Sequence, residues 1–145
     1  MIKRKRVVTL LCLATALTIA GCKKTPEGAA KVKSAAFHQP VLAAFKQAGL
    51  TVGQFEPSAA KPYKARSCVR GEVDQFDVML CQYESEATAQ EMEKNPDQFV
   101  GGAPTGAVRR AKTIVLAVAD RNKVDLKGKK INKLLKTFAQ PISGS

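Results

Sequence analysis

Hydrophobic residues from Phe37 onward fall into stretches of helical spacing separated by stretches of strand spacing. Phe37, Val41, Leu42 and Phe45 recur at the three-to-four-residue interval of one helix face, and Ala48 continues it. Pro40 suits the first turn of that helix. Gly49 stands where a left-handed C-terminal cap belongs, with Leu50 behind it to pack back. A second helix is predicted from Ser85 to Lys94, where Ser85 can cap the first turn and Glu86 meets the positive end of the helix dipole. Its apolar stripe of Ala87, Ala89 and Met92 is thin, and Asn95-Pro96 closes it. Ile131, Leu134, Leu135 and Phe138 sit at i, i+3, i+4 and i+7 and define a third helix, with Pro141 after its end.

Between the helices lie strand candidates at Thr51–Phe55, Ala65–Gly71, Val73–Tyr83, Gly106–Arg110 and Lys112–Asp120. Ile114 to Ala119 is an unbroken apolar run, as expected of a central strand covered on both faces. The order α-β-β-β-α-β-β-α predicts an α+β fold, with helices packed on an antiparallel sheet of about five strands.

Two cysteines set the register of the central hairpin. The midpoint of Cys68 and Cys81 falls between Asp74 and Gln75, so a two-residue turn there places the cysteines directly opposite one another. Val73 and Phe76 then close the turn as a hydrogen-bonded pair. Alternation makes Cys68 and Cys81 a non-hydrogen-bonded pair, the closer kind, near the lower distance limit for a disulfide. In this register Val69, Gly71, Val73, Phe76, Val78 and Leu80 share one face, which is a core face. Arg70, Asp77, Met79 and Tyr83 share the other with the cysteines, where Arg70 can reach Asp77 or Glu72. A slip of one residue would bury Arg and Asp together. Polarity and cysteine pairing agree, and a Cys68–Cys81 disulfide is predicted.

The chain has 145 residues, 45% of them hydrophobic, which is a one-domain length and too apolar for a wholly disordered protein. One His and four Cys, with no CxxC or HxxxH spacing, exclude the common zinc modules. Charge is strongly unbalanced, with 24 Lys and Arg against 12 Asp and Glu.

Part of that excess lies at the N-terminus. Lys3, Arg4, Lys5 and Arg6 precede the uncharged run Val7 to Ala20, which ends in Gly21-Cys22. A charged block followed by a run too short to span a bilayer comfortably is the layout of an export signal. Ile19-Ala20-Gly21-Cys22 resembles the lipobox of bacterial lipoproteins. The resemblance implies cleavage before Cys22, a diacylglyceryl thioether on its Sγ, and acylation of the new amino group. It also implies a membrane anchor in the bacterial cell envelope, facing the periplasm or cell surface. Lys23, rather than Asp, after the lipid-bearing Cys points by lipoprotein sorting rules to the outer membrane. Cys12 would leave with the signal, so a lipidated Cys22 leaves Cys68 and Cys81 as one even pair, in a compartment that permits a disulfide.

The expected organisation is a signal peptide over 1–21, a flexible tether over 22–36 and a single α+β domain over 37–145. The tether, with four Lys among Ala, Pro and Gly and with Val32 its lone branched apolar residue, cannot bury enough surface to order itself.

Motifs of catalysis are missing from the rest of the chain. It has no GxSxG, no phosphate-cradling P-loop and no dinucleotide fingerprint. His38, next to the tether, reads as an exposed side chain without a partner. Glu84, Glu86, Glu91, Glu93 and Asp97 read as the solvated charge of a surface helix. No metal and no cofactor beyond the covalent lipid on Cys22 is expected, and the protein is read as non-enzymatic. The C-terminal segment is more informative: Arg121, Lys123, Lys127, Lys129, Lys130, Lys133 and Lys136 surround Asp125. With Arg109, Arg110 and Lys112 nearby in sequence, this predicts a basic face for an anionic partner, such as lipid headgroups, an envelope polymer or a protein. Nucleic acid fits poorly, because the block lacks interleaved aromatics for stacking. The competing reading is a small envelope enzyme or inhibitor with a cleft on the hairpin face, built from Arg70, Asp77 and Tyr83.

Overall fold

A computed structural model describes residues 37–143, with side chains through residue 140. The expected signal peptide, Cys22 and the tether lie outside the described residues. Helix α1 spans Gln39–Gln47 and buries Val41, Leu42 and Phe45. It ends as its sequence requires. Gly49 has φ +75°, its N–H donates to the Lys46 carbonyl, and the Leu50 N–H reaches back to Phe45. This is the Schellman pair of bonds, and it leaves Leu50 in the core.

The strands are β1 (Glu56–Ser58), β2 (Ser67–Val73), β3 (Phe76–Gln82), β4 (Thr105–Ala111) and β5 (Ile114–Asp120), in one antiparallel sheet of order β1-β2-β3-β5-β4. Helices α2 (Glu86–Glu93) and α3 (Asp97–Val100) fall between β3 and β4, and α4 (Lys129–Ser143) closes the chain. The Ser85 hydroxyl accepts from the Thr88 N–H and caps α2. Helix α3 was not expected from the sequence: Pro96, which ends α2, also starts this single further turn. Helix α4 runs on through Pro141 instead of ending before it, losing one donor close to its terminus.

The hairpin register is the one the cysteines dictate. Val73 pairs with Phe76 and Cys68 with Cys81, joined as a disulfide with Cα atoms 4.1 Å apart. Asp74 and Gln75 both have positive φ, +49° and +71°, as a type I′ turn requires. The turn is also tied from outside. Asp74 donates its N–H to the Thr51 carbonyl at 2.9 Å, and its carboxylate accepts from the Thr51 N–H at 2.7 Å.

The first strand departs from expectation. Thr51–Phe55 does follow the edge of β2, with Val52 bridging Val73, but the ladder proper begins only at Glu56. Val52 is opposite Val73 and Glu56 is opposite Arg70, so three residues on one side face two on the other. The extra residue makes a bulge over Gly71. A Cβ added at Gly71 would lie 2.5 Å from the Gln54 carbonyl oxygen and 2.5 Å from the Phe55 ring, so a side chain there is excluded.

Both faces of the sheet are covered, giving three layers. On one face Val73, Phe76, Val78, Leu80, Leu116 and Val118 pack against α1 and α4. On the other, Cys68, Met79, Cys81, Val115 and Ala117 pack beneath Ala89 and Met92 of α2 and Phe99 and Val100 of α3. The continuous apolarity of Ile114 to Ala119 follows from this double coverage.

Candidate functional site

Two surfaces carry chemistry, one on each side of the sheet. The first is the outside of α1 and α4. Ile131, Leu134 and Phe138 are buried, so Lys129, Lys133 and Lys136 fall on the opposite, exposed side, with Lys130 beside them. At about 100° of rotation per residue these four lysines occupy a stripe about 120° wide. Helices α1 and α4 contain no Asp or Glu, and Lys46 adds a cation at the end of α1. Among the described residues none of these five lysines forms an ion pair. Arg109 of edge strand β4 shares this sheet face, since its neighbours Ala107 and Ala111 pack with the α1–α4 core. Lys127 is also exposed, just before the helix, beside Leu126, whose side chain is 63% exposed.

The helix start is held by two buried acids whose roles the sequence reading overlooked. Asp120, fully buried at the end of β5, accepts from the N–H groups of Val124 and Asp125 and from the Thr105 hydroxyl. Burial alone would raise its carboxyl pKa, but these donors together with the Lys123 N–H outweigh it and hold the group below its ordinary range. Asp125 in turn accepts from the N–H groups of Lys129, Lys130 and Ile131, at 3.0, 2.6 and 2.9 Å, and so caps α4. The lone acid within the basic block is therefore the anchor of the lysine helix.

On the opposite side, the cations beside α2 are compensated. Arg110, expected to join the basic face, instead pairs with Glu86 and Glu93 of α2, because strand alternation sends it to the other face from Arg109. Lys64 pairs with Glu91, and Arg66 lies 4.0 Å from Glu84.

The same side holds a pocket of about 180 Å³. Its floor is built across the sheet from Met79 and Asp77 on β3 and from Ala117 and Ala119, which face them on β5. Small side chains on β5 leave the hollow. Phe99 of α3 and Tyr63, from a 3-10 turn at Lys61–Tyr63, stack with ring centroids 4.9 Å apart and form an apolar wall. Gln98 fastens that wall by donating its amide to the Pro62 carbonyl at 2.6 Å. At the rim, the Asp77 carboxylate accepts from both guanidinium groups, Arg70 on β2 and Arg121 just past β5, the latter at 2.9 Å. Burial would raise the Asp77 carboxyl, but the hydrogen bonds and charges of the two arginines hold it below its ordinary range.

The hairpin cleft expected from the sequence thus brings Arg70 and Asp77 together but not Tyr83. Tyr83 is buried among the residues under α2, away from the pocket lining, and its hydroxyl has no hydrogen-bond partner among the described residues. Burial pushes its phenol up to about 12. Arg121 takes its place, and the signal was present: Ala117 and Ala119 alternate onto one face of β5, and Arg121, just past its end, continues that alternation. The expectation for His38 is corrected as well. The residue is 5% exposed, its ring stacked on Phe55 of the bulge and edge-on to Phe37. Burial lowers its pKa.

No known protein family, curated protein or solved structure matches the chain. Among the described residues no group of His, Cys, Asp and Glu could hold a metal ion, and no helix is long and apolar enough to cross a membrane.

Proposed function

We propose that this protein is a lipid-anchored component of the bacterial cell envelope that acts by binding, with the α1–α4 layer as its contact surface for an anionic partner. The observation that carries the reading is the segregation of charge: the lysine stripe of α4 has no compensating carboxylate among the described residues, whereas the cations under α2 are paired. Unpaired cations on one exposed face produce an attractive field for polyanions. In sequence, the proposed anchor at Cys22 is followed by a Lys-bearing tether and then by Phe37, two residues before α1. Anionic headgroups of the anchoring membrane are the partner we assign to this face.

A binding role also suits the pocket. A general base needs a carboxyl poised near the working pH, and Asp77 is held ionised between two guanidiniums.

The test separates anchor from surface. Cells fed a radiolabelled fatty acid should label the chain, and Cys22→Ser should abolish both labelling and membrane partitioning. The unlipidated Cys22→Ser chain should still sediment with phosphatidylglycerol vesicles at low salt and not with phosphatidylcholine vesicles. Charge reversal at Lys129, Lys130 and Lys133 should remove that sedimentation. Unchanged retention of the reversed chain at low salt refutes the assignment of the surface.

A further inference from the structure

We infer that the pocket between Arg70 and Arg121 is a binding site for a small monocarboxylate carrying a compact apolar body. Its charge is unbalanced by construction. Two guanidinium groups and one carboxylate line it, with no other acid among the described residues, so a net positive charge stands at the rim. Glu56 and Glu72 flank Arg70 on the same sheet face, yet neither lines the pocket nor pairs with Arg70 among the described contacts.

The donors are incompletely used. Each guanidinium has five N–H groups in a fixed fork. Arg70 gives two nitrogens to Asp77. Arg121 gives its Nε to Asp77 and an Nη to the Val100 carbonyl at the long distance of 3.4 Å. Their side chains are 50% and 46% exposed, so unused N–H groups on both remain open to an incoming oxygen pair. Asp77 acts as the positioning residue that clamps both forks at one end of the hollow. A carboxylate suits this planar, two-pronged arrangement.

Below the rim the character changes. Met79, Ala117, Ala119 and the stacked rings of Phe99 and Tyr63 present carbon, and a volume near 180 Å³ holds about six waters or one ring. A bare phosphate would leave this lining wet, and a purely apolar molecule would forgo the guanidiniums. An anion with a ring-sized or branched aliphatic body uses both. The inference is independent of the lysine face, which lies across the sheet.

Benzoate is the probe. In the full chain with labelled Met and Ala methyl groups, titration at low salt should give saturable shifts confined to Met79, Ala117 and Ala119. Benzamide and inorganic phosphate should give none. Arg121→Gln should weaken benzoate at least tenfold while the chain remains folded. Ala119→Leu, which fills the hollow and leaves both arginines, should abolish the shifts. An absent benzoate response, an equal response to benzamide or phosphate, or full affinity in the folded Ala119→Leu chain overturns the site.

Discussion

Cys68 and Cys81 occupy directly opposed positions on β2 and β3, and both are buried in the core beneath α2. The bridge closes a loop with a sequence separation of 13 that already holds a tight turn. Its contribution is chiefly to the unfolded chain, about 2–3 kcal/mol for a loop of this size. Replacing both cysteines by Ala should lower the unfolding free energy by that amount, and the denaturant midpoint with it, with the sheet intact. Equal stability of the two chains in urea titration would show the hairpin needs no covalent help.

Gly71 is predicted to be irreplaceable. A methyl group there meets the Gln54 carbonyl oxygen and the Phe55 ring well inside contact distance. Gly71→Ala should displace the bulge and cost about 1–3 kcal/mol, as overpacking generally does. Thermal unfolding measures it, and a neutral outcome would mean that the bulge moves freely over β2.

Asp125→Ala should cost about 1–2 kcal/mol by uncapping three N–H groups of α4. Asp125→Asn, which keeps one acceptor oxygen, should lose less. Hydrogen exchange at Lys129, Lys130 and Ile131 should accelerate in the Ala chain before the sheet amides respond.

His38 predicts a dependence on pH. Its pKa is lowered by burial, so below the ordinary value of 6.5 the unfolded chain binds a proton that the folded chain resists. The His38 contribution is complete above about pH 6.5 and is lost as pH falls toward its folded value, by at most about 1.4 kcal/mol per unit. His38→Phe, which keeps the stack on Phe55, should flatten stability between pH 5 and 7 in urea titrations. Asp77, with its pKa lowered, acts in a separate window: its contribution is present above its ordinary 3.8 and is lost as pH falls below that.

The central hairpin was legible because two constraints coincided on it, a cysteine pair and an alternation of polarity. The C-terminal helix was legible because its amphipathic period is long and clean. What escaped was built from short or non-local pieces. Helix α3 is a single turn of four residues, without enough length for a period. The bulge at Gln54-Phe55 is defined by its partner strand, so a run of β-prone residues could not locate the ladder's start. Sequence proximity misplaced Arg110, since Arg109 and Arg110 leave β4 on opposite faces. His38 read as exposed because Phe55, which covers it, is 17 positions away along the chain.

The one-sided placement of uncompensated lysines gives the domain an electric moment along the normal of its sheet. Near a negatively charged plane, within the ~8 Å over which physiological salt lets such a field act, that moment exerts a torque. The domain turns until α4 leads. Arg70 and Arg121 are then left pointing into open water on the far side, where a diffusing solute can reach them.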